Sequence, residues 1–151
     1  MKINTSKFGE VEVEENLIFD FIEPILGYEE LKKYVLIDYD NTSPIKWLQS
    51  IEESDVAFPV TIPALFDIQY VFTVPEEEAK RLEITKIEDI LTLNIINMPQ
   101  GNPKETTVNL LAPLVINMKN RKAIQMILPN EEYSVREKLF KDGTFNISRS
   151  V

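Results

Sequence analysis

The stretch from Thr106 to Leu128, TTVNLLAPLVINMKNRKAIQMIL, constrains the fold of this chain more than any other. Val108, Leu110, Ala112, Leu114 and Ile116 recur at every second residue. Ile124, Met126 and Leu128 resume the alternation after Lys119-Asn120-Arg121. Residues two apart share one face of a strand, so the pattern predicts two strands, each with a buried face, joined by a short polar turn into an antiparallel hairpin. The opposite face of the first strand is mixed: Thr107, Asn109, Leu111, Val115 and Asn117. One side is therefore expected to be core and the other only partly wet. Pro113 has no N–H to donate, which predicts an edge or a bulge at that point.

The rest of the chain is expected to build a sheet against this hairpin. Val11 and Val13 alternate with Glu10, Glu12 and Glu14, as in a strand with one charged face. Leu17 to Ile22 is apolar and aromatic around Asp20, and Pro24 and Gly27 end it in a turn. Glu29 to Lys33 reads as a helical turn, and Tyr34 to Tyr39, rich in β-formers, as a strand. Asp40 to Pro44 is turn chemistry, and Ile45 to Ile51 carries the only tryptophan, Trp47, expected in the core. Val56, Phe58, Val60 and Ile62 alternate with Ala57, Pro59, Thr61 and Pro63, and the prolines place that strand at an edge or at an opening of the barrel. Pro75 to Leu82 is the best helix, with Glu76, Glu77 and Glu78 at its start and Lys80 and Arg81 near its end, as the helix dipole favours. Ile90 to Ile96 is a further strand, and Glu131 to Phe140 reads as a terminal helix. At least six short strands with one or two short helices imply a mostly β, small antiparallel β-barrel-like single domain over residues 1–140, with a polar tail over 141–151.

Composition closes off several chemistries. The 151 residues contain no cysteine and no histidine, which removes disulfides, thiol nucleophiles, histidine triads and the two commonest transition-metal ligands. The four glycines are too scattered for a phosphate-binding loop, and there is no G-x-S-x-G elbow. No constellation of catalytic side chains is present, so neither an enzymatic role, a cofactor nor a metal site is expected. The formal charge of −9 repels nucleic acid and anionic membranes and favours basic partners. The longest apolar run, Leu110 to Ile116, is far shorter than a membrane span, and the acidic N-terminal stretch is unlike a secretory signal, so a cytoplasmic location is expected.

Candidate binding residues fall into two groups. The acidic clusters Glu52-Glu53-Asp55 and Glu76-Glu77-Glu78 are candidates for docking a basic protein, against the plainer readings of an acidic loop and a charged helix start. Leu111, Val115 and Asn117, on the mixed face of the central strand, are candidates for a partly apolar contact. The amides of Asn109, Asn117 and Gln125 are expected chiefly to satisfy local backbone groups. Arg121 is expected to be an exposed turn cation.

Several segments together resemble the FliW family of flagellar assembly factors. They are Phe21-Ile22-Glu23-Pro24-Ile25-Leu26-Gly27-Tyr28, Trp47-Leu48-Gln49-Ser50, Phe58-Pro59-Val60 and, most specifically, Thr107-Val108-Asn109-Leu110-Leu111-Ala112-Pro113-Leu114-Val115-Ile116-Asn117, completed by Arg121, Ala123 and Gln125. They keep their order and spacing across about residues 1–140, with Pro24 departing from an expected glycine. The resemblance implies a small cytoplasmic β-barrel-like protein without catalysis. It further implies binding of unexported flagellin and of CsrA, the RNA-binding translational repressor, so that repression of flagellin synthesis is relieved. Direct binding of nucleic acid or membrane is not implied. Two other classes stand beside this reading. One is a barrel that carries a small apolar ligand in its interior, which would co-purify with it. The other is a carboxylate-based hydrolase, which a broad substrate screen would reveal.

Overall fold

The protein is described by a computed structural model covering residues 1–38, 40–129 and 132–140. Among these residues eleven strands are formed: β1 Lys2–Thr5, β2 Gly9–Glu12, β3 Phe19–Glu23, β4 Lys33–Ile37, β5 Lys46–Ser50, β6 Ala57–Thr61, β7 Ile90–Asn97, β8 Thr107–Val108, β9 Leu114–Asn117, β10 Lys122–Gln125 and β11 Glu137–Lys138. The one α-helix among the described residues, α1, spans Glu76–Arg81, and short 3-10 turns complete the set. Seven strands close on themselves in the order β7, β6, β5, β4, β3, β10, β9, with β9 returning to β7. Closure removes the free sheet edges that a short-stranded sheet would otherwise expose. The expected mostly β, barrel-like fold is the one formed. Every neighbouring pair is antiparallel except β10 and β3, which run parallel.

The barrel interior is filled by side chains from all seven strands. Phe19, Phe21, Tyr34, Leu48, Leu114 and Ile116 are each exposed by no more than 1%. Tyr34 sits edge-on to Phe21 with ring centroids 5.2 Å apart. The even register of the central stretch holds: Val108, Leu110, Ala112, Leu114 and Ile116 are all buried.

The strand itself is not continuous. Between β8 and β9 the chain bends, and Asn109 makes the bend by accepting the N–H groups of Leu111 and Ala112 at 3.1 and 3.0 Å. Pro113 lies in this break, where its missing donor leaves no ladder bond unmade. Beyond the break, β8 pairs with β7 on one side and β11 on the other, as a flap beside the barrel.

Three other expectations are corrected. β6 is not an edge strand, since it pairs with both β5 and β7. Its proline is accommodated because pairing with β7 begins only at Val60, so Pro59 has a neighbour on the β5 side alone. Ser50 donates to the Val56 carbonyl at 2.9 Å, which by alternation makes Trp47 and Pro59 a pair without mutual hydrogen bonds. Residues 132–140 of the expected terminal helix form β11 and turns instead, because Tyr133, Leu139 and Phe140 are drawn into a side cluster with Ile68, Val108 and Leu110. The mixed side of the central stretch is partly wet only over Thr107, Asn109 and Leu111, which are half-buried; Val115 and Asn117 are buried, Val115 under a second, outer core.

That outer core is supplied by α1 and by the segment leading into it. Leu82, at the end of α1, packs with Val115, Ile124, Met126 and Leu128, and Tyr70, Phe72 and Val74 close over them. The helix ends in a Schellman arrangement: Ile84 donates to the Ala79 carbonyl at 2.9 Å and Glu83 to Lys80 at 3.0 Å, with Glu83 left-handed at φ 58°. On the other flank, the β1–β2 hairpin covers the outside of β4 through Ile3, Val13 and Val35.

Candidate protein-binding surface

The first acidic cluster lies in the turn from β5 to β6, and buried polar groups hold that turn in place. Gln49, fully buried, donates its amide to the carbonyls of Ser50, Ser54 and Val56 at 3.1 to 3.2 Å. The Ser50 hydroxyl accepts the N–H groups of Glu52 and Glu53 at 3.1 and 3.0 Å. Glu52 spends one carboxylate oxygen on the N–H groups of Lys32 and Lys33, at 2.7 and 3.0 Å, and so ties this turn to the start of β4. Asp55 accepts the Ser6 hydroxyl from the β1–β2 hairpin. Among the described residues none of these three carboxylates forms an ion pair, so the turn presents a concentrated, fixed negative charge to solvent.

The second cluster differs. Glu76 pairs with Lys80 at 3.5 Å and Glu78 with Arg81 at 3.1 Å, while Arg81 reaches Glu23 at 3.0 Å. Hydrogen bonding to Glu23 is the main cause that raises the affinity of Arg81 for its proton. The charges of Glu76, Glu77 and Glu78 are thus largely compensated within the helix itself, and only Glu77 is left exposed without an ion-pair partner among the described residues.

Of the three central-strand candidates, Val115 and Asn117 are covered. Asn117 is 2% exposed and donates to the carbonyls of Leu82 and Glu83 at 2.8 and 3.2 Å. Asn120 adds a third bond to the same end of α1, 3.1 Å to the Leu82 carbonyl. Gln125 accepts the Leu26 N–H at 2.7 Å. These amides satisfy backbone groups, as the sequence led one to expect. Arg121 is half-buried, left-handed at φ 68°, with its guanidinium 5.1 Å from the Phe19 ring centroid, so it caps the barrel interior and is not a free turn cation. Trp47 is half-buried on the outer side of β5, with the Lys7 ammonium 4.2 Å from its ring centroid, and not in the core.

A further feature escaped the sequence reading. Residues Gln69 to Val74 run without a turn or bend between the 3-10 turn at Pro63–Phe66 and α1, yet belong to no sheet. The Tyr70 hydroxyl anchors the segment, accepting from the buried Asn94 amide at 3.2 Å and donating to the Leu110 carbonyl. An open cleft of about 650 Å³ lies between this segment and Ile84–Ile87. The signal that marks it in the sequence is the alternation of Tyr70, Phe72 and Val74 with Gln69, Val71 and Thr73.

Among the described residues no cluster of three or more acidic side chains is placed to hold a metal ion, and no helix is long and apolar enough to cross a membrane. The barrel interior is occupied by its own aromatic and aliphatic side chains, which leaves a small-molecule carrier without support there.

Comparison with known proteins agrees with this geometry. Residues 2–139 match the family model described as FliW protein. A flagellar assembly factor FliW of Thermosipho africanus is 42% identical over 139 residues, covering 92% of this chain and 95% of that protein. One from Leptospira interrogans is 41% identical over 147 residues, covering 97% and 98%. The crystal structure of a flagellar assembly factor FliW superposes with a TM-score of 0.87 at 30% identity, over 95% of this chain and all of that one. The residues that suggested the family, the barrel they build and these likenesses converge: the chain belongs to the FliW family of flagellar assembly factors.

Proposed function

We propose that this protein acts in the cytoplasm, without catalysis, by binding flagellin before export and by binding CsrA, so that CsrA releases the flagellin message. The observation that carries the reading is membership of the family over nearly the whole chain. The uncompensated acidic turn at Glu52, Glu53 and Asp55 supports a basic, RNA-binding partner, because a fixed anionic patch speeds encounter with a cationic surface and repels RNA. Glu53 and Asp55 are better placed for this than Glu76 and Glu78, whose charges are met by Lys80 and Arg81.

The test is capture of partners from the source cell on the immobilised protein, with mass-spectrometric identification, followed by surface plasmon resonance against purified CsrA and flagellin. Both are expected to be captured and to bind directly. Absence of both from the captured set and from the binding traces at micromolar concentration would refute the role. A barrel that arrived with an extractable apolar ligand would favour the carrier reading instead.

A further inference from the structure

The segment Gln69–Val74 has the conformation of a strand and the hydrogen bonding of none. Its even residues point inward: Tyr70, Phe72 and Val74 pack on the outer core. Its odd residues face solvent, with Val71 80% exposed. Among the described residues no backbone–backbone hydrogen bond is made to any of these six. Only Val71 has its main chain satisfied, by the Tyr133 hydroxyl, which accepts from the Val71 N–H and donates to the Val71 carbonyl, both at 3.0 Å. In an extended chain, the N–H and C=O groups of alternate residues point to opposite sides. Tyr133 therefore closes the side that Val71 addresses. The opposite side, addressed by the main chain of Tyr70, Phe72 and Val74, has no hydrogen-bond partner among the described residues.

That open side borders the cleft of about 650 Å³, whose far wall carries Ile84 and Ile87. Ile87 is 81% exposed, and with Val71 it is one of the two most exposed large apolar side chains among the described residues. A second opening, of about 590 Å³, lies on the Tyr133 side of the segment, where Ile68, Leu110 and Tyr133 line it. Unpaired main chain and apolar walls define the ligand the open side would accept. Main-chain groups want another extended main chain, and the walls want alternate apolar side chains.

We propose that Gln69–Val74 is a strand-addition site for an extended peptide segment of a partner protein, bearing alternate apolar side chains that meet Ile84 and Ile87. The site is defined by peptide chemistry and stands or falls separately from flagellin and CsrA. It is distinct from the acidic turn at Glu52, Glu53 and Asp55, and leaves that turn available to a second partner.

The experiment uses the whole protein and a fluorescent probe peptide, Lys-Val-Thr-Val-Thr-Val, blocked at both ends. Fluorescence anisotropy is expected to show saturable binding below about 1 mM. Two N-methylated versions, with the methyl groups on alternate amides and offset by one residue, separate strand pairing from apolar contact. One set of alternate amides faces the protein and the other faces solvent. One version is expected to bind about tenfold more weakly, and the other within about twofold of the parent. The surface substitution Ile87→Glu is expected to weaken the parent peptide about tenfold. Ile87 is exposed, and unchanged near-ultraviolet circular dichroism confirms that the variant folds. Absence of binding, equal binding of both methylated peptides, or insensitivity to Ile87→Glu would each overturn the proposal. So would a concentration-dependent dimer that Ile87→Glu abolishes without any peptide binding, which would assign the segment to a second copy of the chain.

Discussion

At the scale of single residues, buried polar groups decide more of this structure than the exposed charges do. Asn117 illustrates this. Its amide reaches carbonyls at the end of α1, so Asn117→Ala is expected to lower stability by about 1–3 kcal/mol, since its bonds to the Leu82 and Glu83 carbonyls are lost and Leu82 keeps only the longer bond from Asn120. A urea unfolding curve with an unchanged slope and a lower midpoint would show it. Tyr34 works in the opposite direction. Its hydroxyl is buried in the barrel without a hydrogen-bond partner among the described residues, so Tyr34→Phe is expected to raise stability by about 1 kcal/mol. Burial, with the nearby Glu52 carboxylate and Tyr28 contributing, pushes the Tyr34 hydroxyl up to about 12, and burial pushes Tyr70 up to about 12 as well. An unfolded tyrosine releases its proton near pH 10, so between roughly pH 10 and 12 the native state holds protons that the unfolded state has lost. Stability is therefore full below that window and falls as pH rises through it. Tyrosinate absorbance should show a late step to which Tyr34 and Tyr70 contribute, and Tyr34→Phe should diminish it. That Asn109, Asn117 and Gln125 would serve the backbone was legible in the sequence, because amides inside apolar runs must be satisfied. Which carbonyls they serve was not, because Leu82 is 35 residues away from Asn117 and nothing local links them.

At the scale of elements, the alternation from Val108 to Ile116 gave the correct buried face but concealed two things. The break at Asn109–Pro113 could be suspected from Pro113, whereas the Asn109 side chain that makes it is visible only once it is seen to accept two N–H groups. The unbroken apolar run Leu110–Ile116 was itself the sign that both faces are covered, since a half-wet strand would have kept polar residues at 111 and 115. The cover comes from α1, only six residues long, whose position rests on Leu82. Leu82→Ala is expected to cost about 2–5 kcal/mol through the cavity left in the outer core, measured by chemical denaturation. Its effect on peptide binding at Gln69–Val74 should exceed its effect on the acidic turn, which the Gln49 and Ser50 side chains hold independently. The terminal stretch misled for a related reason. Glu131 to Phe140 has helix formers but no continuous apolar stripe, and Tyr133, Leu139 and Phe140 find better burial beside β8 than a short helix would give them.

At the scale of the whole molecule, the chain is a filled barrel with a formal charge of −9, so its chemistry lies on its outside. Barrel closure by β9 on β7 and the parallel pairing of β10 with β3 join segments distant in sequence, and no local pattern announces them. Charge acts here at long range, and it is screened over about 8 Å at physiological ionic strength. Glu53→Lys is therefore expected to slow association with CsrA several-fold and to flatten its salt dependence. Glu77→Lys, on a helix whose charges are largely matched, should do less. Surface plasmon resonance at two salt concentrations distinguishes them. If both reversals leave association and its salt dependence unchanged, the acidic turn serves solubility and the contact lies elsewhere. The central claim, that this barrel antagonises CsrA and is itself held by flagellin, is tested most directly by a gel shift of CsrA on flagellin message with this protein titrated in. The account predicts release of the RNA as the protein is added, and restoration of the CsrA complex when flagellin is then supplied. RNA that stays bound to CsrA at saturating protein would contradict it.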